Sequence, residues 1–220
     1  MERAIPGPAP GPGAPTGLAT PAAPVRAGAF GVYATVVFAG LGAVVGAGIL
    51  GGRFAEVSPS QLVFWLIACA SSNLLPAPVT PNVQLTMSSP INLAIAFLFP
   101  GPVAAAMVAI ASVTDWEISR ETTVLRAAFN RSQLALSTAV AAWIFALGER
   151  PGRAIPSLWV ILGAVVVYHL ANQTFVALAE RFARGVSPRE AFGRILLPLP
   201  SFLGSYLILG FLGMTFALTY

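Results

Sequence analysis

The chain has 220 residues, of which 56% are hydrophobic and 9% charged, with a formal net charge of +4 and a mean hydropathy of +0.79. A soluble domain carries roughly a quarter charged residues, so this composition excludes a water-soluble globule. It points to an all-α membrane protein, a polytopic bundle of about six transmembrane helices at about 20 residues per span, with no length left for a separate soluble domain. All twelve basic residues are arginines that fall between apolar runs. They read as topology signals, and the clustered basic face with interleaved aromatics that a nucleic-acid binder needs is missing.

Residues 1 to 28 hold seven prolines and five glycines and no apolar stretch able to span or pack, so a disordered tail is expected there. The remainder, 29 to 220, reads as a single transmembrane domain. Its first span is about 29–50, where Gly42, Gly46 and the series Ala39, Ala43, Ala47 recur four apart. Such a face admits a close helix neighbour, through general packing in the bundle or, as the sharper alternative, through self-association. The second span, about 61–75, contains the lone Cys69, a small packing residue on this reading, and it stops before Pro76, Pro78 and Pro81. Residues 82–89 then alternate apolar and polar side chains, a strand-like period between two helices.

The third span, about 90–112, is interrupted by Phe99-Pro100-Gly101-Pro102. One helix kinked at Pro100 to Pro102 or two half-helices would fit, and the helical composition resuming at Ala104 favours the kink. Thr114 to Thr123 is the most charged segment and is expected to be a loop or short interfacial helix anchored by Trp116. Its Asp115, Glu117, Glu121, Arg120 and the following Arg126 are expected to form exposed ion pairs of little energetic weight. The remaining spans are about 124–147, 157–179 and 195–218. If six spans alternate, Arg53, Arg120, Arg126, Arg131, Arg181, Arg184, Arg189 and Arg194 share one side. That excess of arginine marks the cytoplasm, so the amino terminus is expected outside.

Templates for soluble enzymes fail. There is no phosphate-binding glycine loop, no CxxC and no HExxH, and one cysteine with one histidine makes no zinc site. A Ser-His-acid triad is excluded because His169 lies within a span and the acids lie in loops or at span ends. Neither catalysis nor a cofactor is expected. What remains are polar residues inside the bilayer, where they are costly. Arg126, Asn130, Gln133 and Ser137 form one stripe of the fourth span, and His169, Asn172 and Gln173 share a face of the fifth. Asn130, Gln133, His169 and Asn172 are therefore the candidate ligand-binding residues, and hydrogen bonding between the two helices is the structural alternative. His169 beside Tyr168 could respond to pH or be held neutral by a neighbour.

Several segments together resemble a bacterial sensor region: PNVQLTMSSP, LAIAFLFPGPVAAAMVAI, AAFNRSQLALS, HLANQTFVALAERFARGVSPREAF and LGSYLILGFLGMTFALTY. They are similar to the multi-pass amino-terminal membrane region found ahead of HD-GYP phosphodiesterase and GGDEF cyclase domains of cyclic di-GMP signalling. The resemblance covers about residues 60 to 220, with Phe129-Asn130, Gln133 and Asn172 its sharpest pieces. It implies a sensory or regulatory input module of the bacterial cytoplasmic membrane, partnered by the lipid bilayer and by a cytoplasmic or membrane signalling protein. In that family the chain is expected to continue beyond Tyr220 into an output domain. Two other classes stay open. Gly101-Pro102 and the alanine repeats of the first span also resemble the six-span substrate-binding subunits of energy-coupling-factor vitamin transporters. A structural subunit of a larger membrane complex would fit the composition as well.

Overall fold

The computed structural model describes residues 27–74, 76–80, 83–86, 88–120, 122–148, 157–196 and 199–219. The tail up to residue 26 and the connection 149–156 lie outside the described residues, as does the side chain of Trp116. In chain order the elements are α1 (Ala27–Leu50), α2 (Pro59–Asn73), β1 (Pro76–Thr80), β2 (Val83–Thr86), α3 (Ser88–Leu98), α4 (Gly101–Ala111), α5 (Asp115–Ile118), α6 (Val124–Gly148), α7 (Leu158–Arg184), α8 (Pro188–Leu196) and α9 (Leu199–Thr219). The chain is thus mainly helical, with one antiparallel hairpin that pairs Pro76 with Thr86 and Pro78 with Gln84. Extended backbone between apolar helices needs its own hydrogen-bond partners, and a hairpin supplies them. The helix ends on either side of it are buried, at Asn73 and Ser88.

Two described helices, Gly28–Leu50 and Leu158–Arg184, are long and apolar enough to cross a membrane. The outer surface is apolar too: Val32, Val36, Ile67, Trp159 and Ile208 are all exposed, Trp159 by 78%. In water that pattern would aggregate; facing lipid, it is the ordinary exterior of a span. α6, at 25 residues, is about 37 Å long. By the same rise, α2 is about 22 Å long and α3 and α4 about 16 Å each, so none of these three matches a full hydrocarbon thickness.

The third expected span needs correction. Pro100 adopts φ −53°, ψ 143°, which is extended backbone, and it brings no N–H to the helix ladder. Two helices therefore replace one kinked helix, and the chain reverses between them. The Phe97 ring lies 4.8 Å from that of Phe145, and Gly101 sits against the Trp143 indole, near the end of α6. At its other end α4 shares a cavity wall with Ala127, Ala128 and Ser132, where α6 begins. A side chain at Gly101 would put its Cβ 2.5 Å from Trp143 Nε1, which is why glycine opens α4.

This reversal changes the sidedness of everything before it. α1 runs parallel to α6: Phe30 packs 5.6 Å from Phe129 at one end, and Gly48 meets Pro102 at the other. α7 returns antiparallel, with Gly148 against Val160 and Gly163 within 3.8 Å of Ile144. Arg120, Arg126, Arg131, Arg181 and Arg184 therefore gather where α6 begins and α7 finishes, while Arg53 sits at the opposite end beside Gly48, Pro100 and Trp143. The grouping of Arg53 with the other loop arginines, on which the expectation of an outside amino terminus rested, does not hold. The start of α1 lies at the arginine-rich end.

The core is built around α3. Asn92, Leu93, Ala94 and Ile95 are fully buried, flanked by α2, α4, α6 and α9. The small-residue face of α1 is not part of it: nothing approaches an added Cβ at Gly42 or Gly46 within 4 Å.

Candidate functional site

The polar stripe of α6 faces α7 across a cleft of about 560 Å³, lined among others by Arg126, Phe129, Asn130, Gln133, Glu180 and Arg184. Its position follows from local sequence. The spacing of Arg126, Asn130 and Gln133 puts them on one side of α6, and α7 continues past Ala179 to a left-handed Gly185, which carries Glu180 and Arg184 up to the same level. Arg184 reaches Glu180 at 3.3 Å, an i,i+4 pair at the mouth, while Arg126 and Asn130 are exposed. Gln133 forms the floor: it is buried, and its Oε1 has no partner among the described residues. The cleft thus offers exposed guanidinium and amide groups at its rim, above the buried Gln133 and an apolar wall, an arrangement suited to a polar or amphipathic ligand.

The four candidate residues do not form one site. Asn130 and Gln133 line the cleft. Asn172 lies one helical turn deeper than the lining residue Val176; it is half-buried, and its Oδ1 lacks a partner among the described residues. His169 is buried deeper in α7 and does not line the cleft. Ser137, the last residue of the stripe, donates its hydroxyl to the Gln133 carbonyl at 2.7 Å. That is bonding within the helix itself.

A second polar cluster escaped the sequence reading. Asn92, fully buried on α3, accepts from the Cys69 thiol at 3.3 Å and donates to the Tyr168 hydroxyl at 3.2 Å. Asn73 donates to the Cys69 carbonyl at 2.9 Å. These contacts tie α2, α3 and α7 together where lipid would offer no partner. A signal was present, a single amide within the apolar run PINLAIAF. Of the interfacial acids, Glu121 and the side chain of Asp115 lie outside the described residues, and Glu117 differs from expectation. Glu117 pairs with Arg131 and not with Arg120 or Arg126, and its side chain is only 9% exposed. Among the described residues no group of three or more His, Cys, Asp or Glu side chains is placed to hold a metal ion.

Replacement of Gln133 by leucine tests whether its amide serves the fold. An unpartnered buried amide exchanged for an apolar side chain of similar size is close to neutral, so the variant is expected within about 1 kcal/mol of the parent in unfolding experiments in mild detergent. A substantially larger loss would reveal a structural partner.

A family model, MASE9, matches residues 60–213, from the first turn of α2 into α9. The chain belongs to the MASE9 family. MASE9 is a membrane-associated sensory domain family, and the apolar exterior and the two long apolar helices agree with membrane association. The match leaves α1 outside the MASE9 segment, yet α1 supplies Phe30 to the cleft and Tyr33, whose hydroxyl donates to the Phe175 carbonyl at 3.2 Å. No curated protein and no solved structure matches the chain.

Proposed function

We propose that this chain is a non-catalytic sensory input module of a bacterial cytoplasmic-membrane signalling protein, of the kind that precedes HD-GYP or GGDEF output domains in cyclic di-GMP signalling. The observation that carries the reading is the MASE9 match over residues 60–213. The α6–α7 cleft supports it by giving such a module a place for a ligand. In this reading the bundle is polytopic, the ligand reaches Gln133 past Asn130, and occupancy alters the packing of α7 against α6. The arginine-rich end faces the cytoplasm, and α1 begins there too.

Two measurements test this. Reading the gene past codon 220 is expected to reveal an in-frame GGDEF or HD-GYP region. A stop codon with transporter ATPase genes alongside would overturn the proposal in favour of the vitamin-transport subunit. For orientation, a green fluorescent protein joined before Met1 is expected to fluoresce. Alkaline phosphatase activity from the same junction, with no fluorescence, would put the arginine-rich end outside.

A further inference from the structure

The charged residues lining the α6–α7 cleft are Arg126 and Arg184 against the single carboxylate of Glu180, a surplus of positive charge. Glu180 lies 3.3 Å from Arg184, but both side chains are open to solvent, the arginine 57% and the glutamate 32% exposed. An exposed pair of this kind contributes little, so Arg184 can turn onto another anion at small cost. Arg126 is exposed and forms no ion pair among the described residues. Arg131, further along α6, is occupied by contrast: Glu117 Oε2 accepts from its Nε at 2.9 Å and also from its Nη2. Arg126 stands in the first turn of α6, where the positive end of the helix dipole disfavours a cation and favours an anion. Next to these groups the cleft wall is apolar, with Phe30, Phe129 and Val176.

We infer that the cleft binds a membrane phospholipid of net negative charge, its phosphate held by Arg126 of α6 and Arg184 of α7 and its acyl chain laid along Phe30, Phe129 and Val176. A guanidinium takes phosphate oxygens through two parallel N–H donors and stays charged at every physiological pH. A cationic head would meet the positive surplus, and a soluble anion would leave the apolar wall uncovered. The two arginines belong to different helices, so one phosphate between them ties the start of α6 to the end of α7, the packing through which the proposed sensor responds. With the cleft as the sensor's ligand site, on which this assignment rests, the ligand class is an anionic membrane lipid.

Short-chain lipids separate head from tail. Retention of radiolabelled dioctanoyl phosphatidylglycerol on the purified full chain in a non-ionic detergent is expected to be saturable. The unlabelled lipid should displace it about tenfold more effectively than dioctanoyl phosphatidylcholine, which has the same phosphate and chains without net charge, and than glycerol 3-phosphate, which has the phosphate without chains. Arg126→Gln should weaken retention about tenfold, the loss of one charge-assisted contact, and Arg184→Gln should do the same. Arg53→Gln, at the opposite end of the bundle, should leave it unchanged. The exposed position of Arg126 keeps its replacement clear of the packed core. Absence of saturable retention, undiminished retention by Arg126→Gln, or an equal loss with Arg53→Gln would overturn the lipid assignment. Equal displacement by phosphatidylcholine would overturn the negative head, and equal displacement by glycerol 3-phosphate would make the ligand a soluble phosphate compound. None of these results touches the sensory reading itself, which the sequence past codon 220 decides.

Discussion

A Gly213→Val chain is expected to lose about 2–3 kcal/mol of stability, the cost of forcing extra atoms into a packed interface. α9 lies so close to α3 that a Cβ at Gly213 would stand 2.6 Å from the Pro90 carbonyl oxygen, 3.2 Å from the Ala94 backbone nitrogen and 3.2 Å from the Leu93 Cβ. Two of those neighbours are backbone atoms of a helix buried from Asn92 to Phe97, so no side chain can swing aside to make room. The helices must separate, and α3 loses part of its cover. Gly42 provides the contrast, since nothing stands within 4 Å of an added Cβ there. Gly42→Ala should be neutral or stabilising by up to about 1 kcal/mol, the difference in helix propensity. Denaturant titration of both variants in bicelles reads the difference, and a Gly213→Val chain as stable as its parent would show that α9 does not seat on α3.

Arg131→Ala is expected to cost about 3 kcal/mol, the lower end of what removing one partner of a buried ion pair costs. The lower end applies because the Arg131 side chain is still 31% exposed and Glu117 only 9%. The loss comes mainly from leaving the Glu117 carboxylate buried without its guanidinium. Arg131→Lys should recover part of it, since an ammonium restores the charge without the two-nitrogen grip on Glu117 Oε2. Removing both partners, as in Glu117→Ala with Arg131→Ala, should cost less than the two single losses together, with a coupling of about 0.5–3 kcal/mol. Strict additivity in the double-mutant cycle would mean that the pair contributes nothing to the fold, and the α4–α6 connection would then be held by its backbone alone.

Much of the helical layout was legible in the sequence. The first, fourth and fifth expected spans begin within two residues of α1, α6 and α7, because an uninterrupted apolar run declares a helix by length alone. The fifth was cut short at Ala179. Glu180, Arg181 and Arg184 look like a loop by hydropathy, yet they continue α7 as its polar end up to Gly185. The third span shows the limit more sharply. Hydropathy records that Phe99-Pro100-Gly101-Pro102 interrupts an apolar run, but not which way the chain leaves it. A kink and a reversal have the same composition, and the choice depends on whether Gly101 finds Trp143 to pack against.

The candidate site divides along the same line. Helical periodicity assigned Asn130 and Gln133 to one face and His169 and Asn172 to another, and the faces of α6 and α7 do meet. Periodicity fixes an angle about the helix axis and carries no information on which neighbour stands at a given depth. Asn130 and Gln133 thus share a cleft with Glu180 and Arg184, while His169 lies outside it. The Asn92, Cys69 and Tyr168 contacts join residues 23 and 76 positions apart, and no local pattern reports such a pair.

By itself the sequence determined a membrane-associated helical chain, the faces on which its polar residues stand, and a resemblance to bacterial sensor regions, because burial in lipid is set by composition and helical faces by spacing. Only the tertiary structure decided that the third span turns back on itself, that α1 begins at the arginine-rich end, and that Glu117 closes on Arg131 beside a cavity. Those outcomes depend on which surfaces fit against each other in space, a property of shape that one-dimensional order does not carry.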